Sequence, residues 1–158
     1  MVLATTEPQV AVMNCARDFE EFLSIMRYNL SLSIPAKHGD QYTIGEMKDG
    51  FFHWLKKNQI EHPNPQYGVE LKQLQQTLDQ HLILRNVAGA HYNEWASNLT
   101  SEEAKDFITV VKKLTALFKC PTCQRHWVEF NNATKQLYCK YCSDKQKPDA
   151  PLWLAKKG

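Results

Sequence analysis

Two cysteine pairs constrain this chain more than any other feature. Cys120-Pro121-Thr122-Cys123 and Cys139-Lys140-Tyr141-Cys142 repeat the spacing C-x-x-C, with fifteen residues between the pairs. A C-x-x-C pair on a tight turn presents two thiolates with a bite that suits one metal ion, and two such turns facing each other complete a tetrahedron. The fifth cysteine, Cys15, stands far from the others and reads as a small buried hydrophobe. The N-terminus Met1-Val2-Leu3-Ala4-Thr5-Thr6-Glu7 carries no basic region followed by an apolar stretch. An odd cysteine count, paired spacing and the absence of such a leader point to a reducing, cytoplasmic setting, and to metal rather than disulfides.

The stretch between the pairs reads as a hairpin. His126-Trp127-Val128-Glu129-Phe130 forms one arm, Asn131-Asn132 a polar turn, and Lys135-Gln136-Leu137-Tyr138 the other arm. The module resembles a zinc ribbon, with Cys120, Cys123, Cys139 and Cys142 holding one structural Zn²⁺. Four thiolates leave no open coordination position, so zinc here is not expected to catalyse hydrolysis. A segment this short cannot hold itself together by apolar burial, and the metal stands in for a core. Trp127, Phe130, Tyr138 and Tyr141 either pack the hairpin or stack on bases. His126 lies too close to Cys123 to be needed as a fifth ligand.

Composition excludes two broad classes. Hydrophobic residues make up 43% of the 158 positions and charged residues 23%, too apolar for a disordered chain. No run approaches the roughly 18 uninterrupted apolar residues of a membrane span. The formal net charge of +2 argues for no partner, but its distribution is uneven: residues 119–158 carry +5 and the remainder −3. A zinc–tetrathiolate cluster would contribute −2 and leave the tail at about +3. That is compatible with nucleic acid without demanding it. Arg125, Trp127, Lys135, Lys140, Tyr141 and Lys145 are the candidate contacts to nucleic acid or a protein partner.

The rest of the chain reads as helices. Apolar residues fall at helical spacing from Val10 to Leu32 through Phe19, Phe22, Leu23, Met26 and Leu30, with Pro35 and Gly39 closing the segment. Thr43-Ile44-Gly45-Glu46 is a capping box opening a second helix with Met47, Phe51, Trp54 and Leu55 on one stripe. His62-Pro63-Asn64-Pro65 is a stop. A third stripe runs through Leu71, Leu74, Leu78 and Leu82. A second capping box, Thr100-Ser101-Glu102-Glu103, opens a fourth helix whose apolar face is Ala104, Phe107, Ile108, Val111, Leu114, Leu117 and Phe118. The expected fold is mainly α, an antiparallel helical bundle over 1–118 followed by a small β zinc ribbon over 119–147. Residues 148–158 are a short basic tail that docks on the bundle or on a partner. His53, His62 and His81 read as isolated, Lys112-Lys113 as a solvated face, and Glu102-Glu103 as capping residues rather than an acid/base pair.

One further stretch carries chemistry: Leu84-Arg85-Asn86-Val87-Ala88-Gly89-Ala90-His91-Tyr92-Asn93-Glu94-Trp95. A neutral histidine can move a proton near pH 7, and an arginine can steady the negative charge of a phosphorane. RNA supplies its own 2′-hydroxyl nucleophile, so such chemistry needs no metal. The pattern resembles the R-x(4–6)-H motif of the HEPN superfamily of small helical bundles, many of them ribonucleases. Arg85 and His91 match its two catalytic positions, Asn86 its following polar residue, and Asn93 is a second supporting amide. The resemblance implies pairing of two protomers, hence a homodimer. On an ideal helix six positions turn through about 600° and leave the side chains about 120° apart. Convergence requires a bend, and Ala88-Gly89 is where one fits. The competing role for Arg85 and His91 is buried hydrogen bonding across the bundle.

The order of features from Leu84 to Cys142, R-N-x-x-G-A-H-x-N followed by a capped helix and the cysteine module, resembles the C-terminal region of SMC-like or AAA-type ATPases of bacterial antiphage defence. The chain lacks G-x-x-x-x-G-K-[ST], so no phosphate loop for ATP is present in it. The resemblance therefore implies a subunit that accompanies a motor, as accessory proteins do in Lamassu-like systems. Two functions stand against each other: a non-catalytic, zinc-binding accessory subunit docking on an ATPase or nuclease, and a metal-independent ribonuclease using Arg85 and His91. A plain zinc-ribbon adaptor outside defence rests on the ribbon alone.

Overall fold

In the structure, a computed structural model, residues 8–35, 42–61, 65–82, 99–120, 122–144 and 153–155 are described. The protein is a mainly helical bundle with a small antiparallel β element. Helix α1 (Pro8–Asn29), α2 (Ile44–Lys57), α3 (Pro65–Leu82) and α4 (Ser101–Leu117) make the bundle, and a short α5 (Lys140–Asp144) follows the hairpin. Among the described residues no helix is long and apolar enough to cross a membrane.

Both capping boxes form. The Thr43 hydroxyl accepts from the Glu46 N–H at 3.1 Å while Glu46 Oε1 accepts from the Thr43 N–H at 3.1 Å. Thr100 and Glu103 repeat the exchange at the start of α4, at the same distances. Each box satisfies two backbone donors that the first turn leaves unpaired. The hydrogen bonds to Thr100 hold the Glu103 carboxyl below its ordinary value. Pro65, expected only as part of a stop, opens α3, where its missing N–H costs nothing.

Helix α1 ends earlier than Pro35 requires. Ser31 adopts a left-handed conformation (φ 52°), and the Leu32 N–H reaches back to the Arg27 carbonyl at 3.0 Å. That six-residue closure is a Schellman turn made without glycine. Its termination was not visible in sequence because serine rarely takes this role.

Most of the expected stripe residues are buried, while Trp54, Leu71, Ile108 and Leu117 are half-buried and pack against the core. Val12, Ala16, Phe19, Phe22, Leu23 and Met26 line the inner face of α1, Met47, Phe51 and Leu55 that of α2, and Ala104, Phe107, Val111 and Leu114 that of α4. Leu74 and Leu78 contribute from α3. Helix α1 packs chiefly on α4 and α2, and α3 on α4. In α2 the close approach of Ile34 uses Gly50: a Cβ there would stand 2.7 Å from Ile34 Cγ1.

The strands β1 (Ile60–Glu61), β2 (Val128–Asn131), β3 (Gln136–Cys139) and β4 (Trp153–Ala155) form one sheet in the order β1-β4-β3-β2. Strands β2 and β3 are the expected hairpin, paired Val128 to Cys139 and Asn131 to Gln136. Asn131 Oδ1 accepts from the Ala133 and Thr134 N–H groups at 2.9 and 3.2 Å and shapes the turn. Strand β4, from the tail, lies between the hairpin and β1, pairing Leu137 with Trp153 and Ile60 with Ala155. The buried apolar residues of bundle and hairpin accordingly form one continuous cluster, from Val12 through Phe118 to Cys120, Val128, Leu137 and Cys142.

Candidate metal centre

The first cysteine pair sits on a tight turn at the end of α4. The Gln124 N–H donates to the Cys120 carbonyl at 2.8 Å and the Cys120 N–H to the Arg125 carbonyl at 2.9 Å. Closing so small a loop requires Gln124 to be left-handed (φ 63°). The second pair differs from the expected second turn. Cys139 ends β3 and Cys142 lies in the first turn of α5. The Lys140 N–H, bonded to the Trp127 carbonyl at 2.9 Å, extends the ladder and fixes where the helix begins.

These elements bring the sulfur atoms of Cys120, Cys123, Cys139 and Cys142 within 4.8 Å of one another. Cys120 Sγ is 3.7 Å from Cys142 Sγ, and Cys123 Sγ is 3.5 Å from Cys139 Sγ. A sulfur tetrahedron around a metal at about 2.3 Å has edges of about 3.8 Å, and a disulfide is about 2.05 Å long. The spacing therefore fits four ligands around one ion and excludes bonded pairs. Close-packed thiols also resist joint ionisation. Burial, aided by the neighbouring thiols, pushes Cys142 up to about 12, and burial raises Cys139. At Cys123 burial is outweighed by hydrogen bonds from the Arg125 N–H, from the Cys139 and Cys142 thiols and from the Arg125 guanidinium, which hold it at about 6. A dication amid the four sulfurs would allow all of them to ionise.

Cys15 is buried in α1 and burial pushes its thiol up to about 12, in keeping with a small apolar side chain. His126 has a different task from metal binding. Its Nε2–H donates to the Thr115 carbonyl at 2.9 Å, near the end of α4, and its ring meets Phe22 edge-on at 5.2 Å. Burial keeps this imidazole below its ordinary value. Together with Trp54 against Phe130 (5.2 Å, 89°), it fastens the hairpin to the bundle.

The candidate contact residues separate into different situations. Trp127 is 43% exposed and stacks on half-buried Tyr141 with ring centroids 6.2 Å apart. The Arg125 guanidinium lies over the other partner's ring, 3.9 Å from the Tyr141 centroid. Lys135 is exposed, with its ammonium 5.9 Å from the Phe130 ring. Lys140 is half-buried and pairs with Glu129 at 3.6 Å. Gln124, Arg125, His126 and Trp127 line an open groove of about 420 Å³ whose far wall is Ile25 and Asn29 of α1. Arg85, Asn86, His91, Asn93 and Lys145 lie outside the described residues.

Two pairings escaped the sequence reading. Lys48, only 4% exposed, bridges α2 to Asp79 of α3 and lies 2.9 Å from Asp49 Oδ1. Its place on the buried stripe between Ile44 and Phe51 was the signal for it. His81, expected to be isolated, instead pairs with Asp106 at 2.7 Å and packs edge-on against Phe107.

Compared with protein-family models, curated proteins and solved structures, the chain matches none. Its class is set by its own geometry: a helical bundle carrying a four-cysteine site that can hold one metal ion.

Proposed function

We propose that this chain is a non-catalytic accessory subunit of a bacterial antiphage defence complex, stabilised by one structural Zn²⁺ and docking on an SMC-like or AAA-type ATPase or a nuclease. The observation that carries the structural role is the set of four sulfurs within 4.8 Å of one another, two of the separations being 3.7 and 3.5 Å. Four thiolates select a tetrahedral, borderline-soft ion, and Zn²⁺ is the redox-silent choice. The order of motifs from Leu84 to Cys142 supports the family of the partner. The groove lined by Arg125 and the 43% exposed Trp127, and bordered by Ile25, supports docking, since aromatic residues and arginine are favoured at such interfaces. The basic residues of the ribbon and tail contact nucleic acid or the same partner.

Purified chain is expected to hold one zinc per molecule and to co-elute with the ATPase or nuclease encoded beside it at micromolar concentration. Elution alone would overturn this function, and metal-independent RNA cleavage by the isolated chain that disappears in His91→Ala would replace it with the ribonuclease.

A further inference from the structure

A divalent ion held by four thiolates carries a net charge of −2, which some neighbouring group has to offset. The four ligands are unequally protected: Cys120, Cys139 and Cys142 are buried, and Cys123 is partly exposed. The residue that meets Cys123 is Arg125. The left-handed Gln124 turns the chain back so that the Arg125 carbonyl accepts from the Cys120 N–H at 2.9 Å, which brings the Arg125 side chain beside Cys123. The guanidinium lies over the Tyr141 ring, its central carbon 3.9 Å from the ring centroid. Tyr141 stands between Cys139 and Cys142, and Trp127 stacks against it at an interplanar angle of 25°. Arg125 thus stands beside the ligands of the first pair and over the residue inside the second. The nearby Lys140 is engaged by Glu129 instead, at 3.6 Å.

We propose that Arg125 is a positioning residue of the metal centre, offsetting part of its negative charge, tying the two ligand pairs together through Tyr141, and covering the exposed Cys123 sulfur against electrophiles. This rests on the metal-binding reading of the four cysteines. A planar, permanently charged fork suits both tasks, and a lysine would keep the charge while losing the flat face and the bidentate donors. Outer-shell partners of this kind are worth about 10–100-fold in metal affinity.

The test uses the full chain loaded with Zn²⁺ and, separately, with Co²⁺. Arg125→Ala is expected to weaken Zn²⁺ retention against a chelator by about 10–100-fold. Arg125→Lys and Tyr141→Ala should fall between it and the wild type. With N-ethylmaleimide, a cysteine sulfur adds across the ring C=C, its metal–sulfur bond breaks and a proton from water ends on the adjacent carbon. Arg125→Ala should release zinc faster, with Cys123 modified first by mass mapping. In the Co²⁺ form the sulfur-to-metal charge-transfer band should move to lower energy in Arg125→Ala, because a hydrogen-bond donor to the thiolate has been lost. Wild-type zinc retention and an unmoved Co²⁺ band in Arg125→Ala would overturn the proposal, as would first modification at another cysteine. If Arg125→Ala does not fold, Arg125→Lys and Tyr141→Ala decide by the same readings. A wild type that gives no thiolate–Co²⁺ band fails one step earlier, at the metal reading itself.

Discussion

In the bundle and its junction, Phe19, Leu23, Met26, Ile44, Phe51, Leu78, Phe107, Leu114 and Phe118 are each less than 2% exposed. Between residues 122 and 143, Val128 and Leu137 are the buried aliphatic side chains among the described residues, and the other buried positions there are Cys139 and Cys142. The two regions share one cluster, yet one is held by apolar area and the other has four sulfurs placed for a metal cross-link. Hydrophobic burial scales with the number of large side chains, and a hairpin this small has too few to fix its own shape.

The largest expected effect follows from removing the cross-link. Strong chelation, or Cys142→Ser, should abolish protection of the β2–β3 amides in hydrogen exchange while the α1 and α4 amides stay protected. Simultaneous loss of both would show that the bundle leans on the metal as much as the hairpin does. Next comes the junction. Phe118 meets Phe22 at 6.2 Å and Phe51 at 5.1 Å, and Phe118→Ala should cost about 3–5 kcal/mol in denaturant unfolding. It should also lower zinc retention, whereas Phe107→Ala, deep in the bundle, should cost a similar amount and leave zinc in place. Equal effects on zinc would erase the distinction between the regions.

A smaller change is expected at Lys48. Asp79→Ala leaves its buried ammonium with Asp49 as partner; since the Asp79 side chain is 43% exposed, the cost should be about 1–2 kcal/mol, below that of a fully buried pair. Zinc retention should not move. The smallest effect is a pH dependence. Burial holds His126 below its ordinary value, so on acidification the unfolded chain takes up that proton before the folded one does. Its contribution to stability is complete above about pH 6.5 and declines below, until the folded imidazole itself protonates. His126→Gln should flatten this part of the curve. The measurement is thermal unfolding between pH 5 and 8, with fully loaded zinc so that proton competition at the thiolates does not intrude.

Much of this was legible from local signals. The capping boxes at Thr43 and Thr100 are four-residue patterns, and the stripes of α1, α2 and α4 recur within a turn or two, so each is complete within its own segment. The four-cysteine cluster was legible for the same reason, since each pair fixes its own bite. What escaped was decided by partners far away in sequence. Strand β1 is two residues long and β4 three, too short for any alternation to show. Lys48 finds Asp79 across 31 positions, and His81 finds Asp106 across 25. The helical start of the second cysteine pair depends on how β3 is anchored to Trp127, which spacing alone does not encode.

The position of β4 has a consequence for how the molecule is assembled. Synthesis proceeds from the N-terminus, so the segment made after the hairpin is the one that ends up in the interior of the sheet. Until it arrives, β1 has no neighbour, and the ladder joining helices to hairpin cannot close. Completion of that seam is therefore a late event, and a chain shortened before Trp153 would keep its helices, its four-cysteine cluster and the His126 and Trp54 contacts yet lose the strand that joins β1 to the hairpin.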